Sequence, residues 1–196
     1  MTFGFEREFF VLDPFQKVLV AANLHLPFDG CGYLAEARGE PHQNVEKAAW
    51  LLLAEEARIR SLLKDGQTLS TEARKLDKTF KHTCMRRFGK QVQTDFSLSG
   101  RWNSPSLAHA GLHIHFGREI TFKDKDGTLH HLGAGMINAP RIIWLLDKEF
   151  KKDIKDAHRA TGLYRLRDHG FEYRSLPASI DVLRVAAFIN KEIWNS

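Results

Sequence analysis

From Phe3 to Leu12 the chain alternates, with Phe5, Arg7, Phe9 and Val11 on one parity and Glu6 and Glu8 on the other. A period of two predicts a strand whose two faces differ in character. Asp13-Pro14 marks a turn, and the apolar, β-branched run from Lys17 to Leu24 predicts a second strand. Pro27 to Gly30 turns the chain again, and Tyr33 to Arg38 resumes the alternation, with Leu34, Glu36 and Arg38 sharing a face. Between Gln43 and Lys64 the apolar positions Val45, Ala48, Ala49, Leu52, Ile59, Leu62 and Leu63 recur at helical spacing, with Gly66 just beyond the end. Residues 67–106 carry the weakest pattern, with a short strand suggested at Lys81–Arg87 and a polar loop from Ser97 to Ser106.

Ala108 to Gly117 alternates clearly, with His109, Gly111, His113 and His115 on one parity. Lys125-Asp126-Gly127 reads as the turn of a hairpin spanning 119–131. Residues 138–158 read as helix, Phe171 to Leu176 as strand, and Pro177 as the start of a last helix reaching Trp194. Strands at 3–12, 17–24, 33–38, 109–117, 119–131 and 171–176, with helices between them, predict an α+β protein in which helices cover one side of an antiparallel sheet. The 196 residues suit a single domain, 1–196.

Four strands carry polar groups at i and i+2: Glu6 and Glu8, Glu36 and Arg38, His113 and His115, Glu172 and Arg174. That spacing puts each pair on one face. If the polar face of one sheet gathers them, carboxylates and imidazoles converge. Burying such charges is costly, and like charges push each other's pKa upward. Hard divalent cations with oxygen ligands relieve both, and Mg²⁺ shares its sphere with phosphates. The pattern therefore points to a nucleotide–metal site. Any single pair of this kind is more often a solvated strand face than a site. His130-His131 and Lys148 to Asp153 read as surface. Trp50, Trp144 and Trp194 lie on apolar helical positions and read as core, and Trp102 as a candidate substrate contact.

The net charge of +5 favours anionic partners without a basic run that would mark a specific nucleic-acid surface. Cys31 and Cys84 form no CxxC pair and read as reduced thiols, which suits the cytoplasm. The opening lacks the order of a signal peptide, and no apolar run reaches membrane-spanning length, so no membrane partner is expected.

Taken in order, GFEREFF (4–10), AEARGEP (35–41), AGLHIHFG (110–117) and GFEYRSLPAS (170–179) resemble the metal-binding and phosphate-binding strands of the glutamine synthetase and glutamate–cysteine ligase superfamily. HRATGLYRLRDHG (158–170) resembles the basic lead-in of its phage-type COOH–NH2 ligase branch. The resemblance implies a curved antiparallel sheet forming a funnel-like active site, with helices on the outer face. It implies ATP with Mg²⁺ or Mn²⁺, and amide formation through an acyl phosphate on an amino acid or peptide. The partners would be small-molecule or peptide carboxylates and amines. The branch implies a phage-encoded protein in a host cytoplasm, and relatives assemble as homo-oligomers.

Carried over by position, Glu6, Glu8, Glu36, Glu40, His113 and Glu172 would hold metal. Arg38, His113, His115, Arg159, Arg165, Arg167 and Arg174 would hold the nucleotide, and Glu8, Glu172 and Arg174 would serve the chemistry. Two other readings stand beside the ligase. One is a metal-dependent hydrolase or nuclease using His113, His115 and the glutamates, which the scarcity of closely spaced His and Asp disfavours. The other is a non-catalytic ligase-like scaffold, which the retention of costly acids disfavours.

Overall fold

The computed structural model describes residues 1–29, 32–74, 95–97, 108–117, 120–123, 129–132, 138–167 and 170–194. Strand β1 (Thr2–Leu12) is the organising element. Its first half lies between β3 (Ala35–Arg38) and β6 (Gly111–Gly117). Its second half lies between β2 (Val18–Leu19) and β4 (Thr68–Ser70). Beyond β6 the sheet continues through β10 (Gly170–Pro177) and β9 (Leu163–Arg167) to β5 (Asp95–Ser97). Every pairing is antiparallel and the sheet is open. A separate hairpin pairs β7 (Ile120–Lys123) with β8 (Leu129–Leu132).

One sheet face is apolar. Phe3, Phe5, Phe9 and Val11 of β1, Leu112, Ile114 and Phe116 of β6, and Phe171 and Tyr173 of β10 join one core cluster. Phe116 stacks on Phe171 with ring centroids 4.8 Å apart. Helices α1 (Val45–Ser61), α2 (Ala139–Glu149), α3 (Lys151–Asp156) and α4 (Val182–Ile189) contribute their apolar stripes to the same cluster. The α+β expectation, with helices on one side of an antiparallel sheet, therefore holds.

Local signals explain several boundaries. Asn44 caps α1 by accepting from Lys47 N, Asn138 caps α2 by accepting from Arg141 N, and Asp181 caps α4 by accepting from Leu183 N. The last helix therefore begins at Val182, not at Pro177, which closes β10. A turn of π-helix, Asn190–Trp194, follows it. The expected strand over 17–24 is reduced to β2, followed by a 3-10 turn at Ala21–Leu24. The expected helix over 138–158 breaks at Phe150, which is buried.

Two tryptophans depart from expectation. Trp50 is 60% exposed and Trp144 58% exposed. Helix phase accounts for both, since at about 100° per residue each lies roughly 140–150° from its helix's buried stripe. The expectations for Cys31, Lys81–Arg87, Cys84, Trp102 and the 125–127 turn fall outside the described residues. Among the described residues, no helix is long and apolar enough to cross a membrane.

One polar pair sits on the apolar side. Arg7 shares the parity of Phe5 and Phe9, and its Nη1 lies 2.9 Å from Glu56 Oε1 of α1. Its Nη2 donates to Ile180 O at 2.9 Å, so one guanidinium ties β1 to α1 and to the approach to α4.

Candidate metal and anion site

The opposite face of the sheet carries the dyads, and strand register brings them into one row. Glu8 faces Glu36 and Glu6 faces Arg38 across β1–β3. Glu6 faces His113 across β1–β6. His115 faces Glu172 across β6–β10, and Glu172 faces Arg165 across β10–β9. Where β1 continues on this face, Phe10 and Leu12 pack with Ala110 and Ala178 in a second apolar cluster that flanks the row.

The side chains converge. His115 Nε2 lies 3.3 Å from Glu6 Oε2, and His113 Nδ1 lies 3.4 Å from Glu172 Oε1 and 3.9 Å from Glu6 Oε2. Two groups present one ligand atom each, all within 4.8 Å of one another: Glu6, His115 and Glu172, and Glu6, Glu36 and His113. Glu6 belongs to both.

Charge is distributed unevenly along the row. At the β3–β1 end stand Glu6, Glu8 and Glu36, with Arg38 contacting Glu36 and lying 3.6 Å from Glu6. At the β10–β9 end stands Glu172, fully buried and ringed by three arginines. Arg167 donates its Nε to Glu172 Oε2 at 3.0 Å, Arg174 Nη1 contacts Oε1, and Arg165 Nη1 lies 3.8 Å away. The carboxyl groups respond accordingly. Burial alone would raise Glu172, but His113, Arg174, His115 and Arg167 bring it down to about 2. Burial likewise opposes ionisation of Glu6, and the two imidazoles outweigh it, holding Glu6 below the usual carboxylate range. Glu36 moves the other way: burial and the charges of Glu6 and Glu8 push it up to about 8 despite Arg38.

These residues fit a divalent cation. His113 Nδ1 and His115 Nε2 are buried atoms with no hydrogen-bond partner, and both face carboxylate oxygens. An unsatisfied buried nitrogen costs about 1–3 kcal/mol, which a cation on its lone pair would offset. The carboxylates of each set suit Mg²⁺ or Mn²⁺, and the single imidazole extends the fit to Zn²⁺.

The expected residues divide into those that meet in the row and those that do not. Glu6, Glu8, Glu36, His113, His115, Glu172, Arg38, Arg165, Arg167 and Arg174 meet there. Glu40 is exposed beyond the end of β3 and joins neither ligand group. Arg159 is not an anion clamp. Its Nε donates to Ser175 O at 3.0 Å, its Nη2 to Arg174 O at 2.6 Å and its Nη1 to Ala110 O at 3.4 Å. The carbonyls of Arg174 and Ser175 belong to the bulge of β10, where the register against β6 shifts between Tyr173 and Leu176, and that of Ala110 immediately precedes β6. Arg159 therefore fastens the irregular stretch that carries Arg174. Arg165 and Arg167 stand on a strand that the sequence pattern leaves as a basic lead-in. Their alternation with Tyr164 and Leu166 is the signal that would have revealed it.

Comparison with protein-family models, with curated proteins and with solved structures finds no match to this chain.

Proposed function

We propose that this chain is an ATP- and Mg²⁺-dependent carboxylate–amine ligase, with Mn²⁺ as the alternative metal. The observation that carries the reading is the polarity of the row: three glutamates at one end, the imidazoles of β6 in the middle, and three arginines around Glu172 at the other end. A cation-binding end beside an anion-binding end suits a metal–triphosphate complex better than it suits either ion alone. The ordered resemblance of the four dyad strands to the glutamine synthetase-like ligases, and the funnel-like fold it implies, point the same way.

In this reading Glu6, Glu36, His113, His115 and Glu172 hold the divalent ions, which neutralise the phosphates against an incoming carboxylate. Arg165, Arg167 and Arg174 offer forked donors to phosphoryl oxygens and hold them in line. A carboxylate oxygen of the acid substrate attacks the γ-phosphorus and the bond to ADP breaks, giving an acyl phosphate and ADP. The amine nitrogen then attacks the acyl carbon and loses a proton, and inorganic phosphate departs, leaving the amide. The apolar cluster of Phe10, Leu12, Ala110 and Ala178 borders the row and would limit water on that flank, where it would otherwise compete with the amine.

The test is a thermal-shift titration with ATP, with and without Mg²⁺, on the wild type and on Glu6→Gln, the ligand common to both groups. At 100 times the dissociation constant, binding stabilises by about 2.7 kcal/mol. A metal-dependent shift that disappears in Glu6→Gln is the expected result. A shift that ignores the metal, or that survives in Glu6→Gln, overturns the assignment. The imidazole in each ligand group favours one second reading, a Mn²⁺- or Zn²⁺-dependent hydrolase. Phosphate release that needs no acid or amine would select it.

A further inference from the structure

Arg159 reaches the site from the end of a helix. Helix α3 closes in a Schellman arrangement: His158, in the left-handed region at φ 54°, donates its N–H to Lys155 O at 2.9 Å, and Arg159 donates its N–H to Ile154 O at 2.9 Å. Ile154 is fully buried, so the turn that launches the Arg159 side chain is fixed to the core. The side chain runs from there to the bulge of β10. Tyr173 faces Ile114 and Leu176 faces Leu112, which leaves Arg174 and Ser175 together opposite His113. Two residues against one interrupt the ladder, and the main chain there needs other partners. Arg159 supplies them. Its Nη2 donates to Arg174 O at 2.6 Å and its Nε to Ser175 O at 3.0 Å, while Nη1 reaches across to Ala110 O at 3.4 Å, where β6 begins. Gly111 leaves the room for this, since a Cβ there would come within 2.9 Å of Arg159 Nη2.

We infer that Arg159 is a positioning residue for the anion end of the row: by holding both carbonyls of the bulge it fixes the direction of the Arg174 side chain, and so sets the affinity for phosphoryl oxygens without touching them. The bulge itself has a separate cause. Beyond it Leu176 packs in the main core and Ala178 packs with Phe10 and Leu12, and a regular ladder would send that run to the opposite faces. Burial of Leu176 therefore keeps the extra residue in β10 when Arg159 is replaced, and what is lost is the orientation of the two residues that Arg159 holds. Of these, Ser175 serves the frame, its Oγ accepting from Leu163 N of β9 at 2.9 Å. Arg174 serves the site, its Nη1 contacting Glu172 Oε1. A planar fork of donors can meet three carbonyls at once, which a lysine ammonium on a flexible stem does not reproduce. The inference rests on the anion-binding half of the proposed function.

Calorimetry tests it, with inorganic tripolyphosphate in the absence of metal and with Mn²⁺ alone. Arg159→Met should weaken tripolyphosphate binding by about 10- to 100-fold, the range for one charge-assisted contact, and Arg174→Met should do the same. Affinity for Mn²⁺ alone should change by less than about threefold in Arg159→Met, because neither ligand group loses an atom. Arg159→Met combined with Arg174→Met should bind tripolyphosphate no more weakly than Arg174→Met does, since Arg159 acts through Arg174. Arg159→Lys keeps the charge and loses the fork, so it should resemble Arg159→Met, and it stands in for that variant if the methionine chain does not fold. Unchanged binding in Arg159→Met, wild-type affinity in Arg159→Lys, or losses that multiply in the double variant overturn the inference. So does an equal loss of Mn²⁺ and tripolyphosphate affinity, which would make Arg159 a general prop of the fold. Should the wild type bind no tripolyphosphate, the anion end of the proposed function falls and this inference falls with it; binding that the variants leave intact overturns the inference alone.

Discussion

Replacing Glu36 by glutamine is expected to stabilise the metal-free protein near neutral pH, although it removes the charge partner of Arg38. Glu36 is 5% exposed, and burial together with the charges of Glu6 and Glu8 pushes its carboxyl from an ordinary 4.5 up to about 8. The folded chain therefore holds this proton more tightly than the unfolded chain does. Below 4.5 both states are protonated and the group is neutral to stability. As pH rises from there towards 8, the unfolded state gives up the proton first, and stability falls. At about pH 7 the gap from the unfolded value is about 2.5 units, which at about 1.4 kcal/mol per unit makes about 3 kcal/mol. Glu172, held down at about 2, contributes stability above 4.5 that is lost only as pH falls towards 2, so its window lies elsewhere. Urea denaturation of the wild type and Glu36→Gln, repeated between about pH 5 and about pH 8, isolates the difference. The two curves should converge towards the acid end, separate by about 3 kcal/mol at about pH 7 and reach about 4 kcal/mol at the alkaline end. Saturating Mn²⁺ should remove the wild type's loss, because a bound cation favours the carboxylate. Parallel curves, within about 0.5 kcal/mol throughout, would refute the claim that crowded carboxylates strain this site.

Two further predictions concern the frame around the site. Gly170 lies where an added Cβ would run into the carbonyl oxygen of Phe116, which is main chain and part of a paired strand. Gly170→Ala should therefore destabilise by about 3 kcal/mol or more and disturb the pairing that presents Glu172, read by denaturation midpoint; an unchanged midpoint would contradict the packing described. Arg7→Leu leaves Glu56 buried without its cation and should cost about 3–5 kcal/mol, whereas Arg7→Leu with Glu56→Leu should recover much of that loss. A double-mutant cycle with strictly additive costs would show that the pair is not coupled.

The faces of β1, β6 and β10 were legible along the chain because side-chain direction in a strand repeats every two residues whatever surrounds it. That local rule places Glu6 with Glu8, His113 with His115 and Glu172 with Arg174, and sets the aromatic residues on the other side. It says nothing about which strand lies beside which. Register across β3, β1, β6, β10 and β9 decided that Glu6 meets His113 while Glu172 meets both His115 and Arg165. Helix phase was also legible: the angle of Trp50 and Trp144 from the apolar stripe of their helices puts both outside. The start of α4 at Asp181 follows from a capping side chain that Pro177 overshadowed in the pattern.

Other roles depended on groups far apart along the chain. Arg159 looks like any basic residue until the carbonyls of Ala110, Arg174 and Ser175 surround it, and a bulge that demands such a donor exists only once β10 is paired. Glu6 and Glu8 are interchangeable by parity, and tertiary contacts separate them: Glu8 accepts from the amide of Gly111, 103 positions away, while Glu6 lies beside His115. The sequence by itself determined which side chains share a face, because that is a property of local backbone geometry. Tertiary structure alone decided which of them stand within reach of one another or of a distant carbonyl, because that depends on distances of a few ångströms between strands distant in the chain.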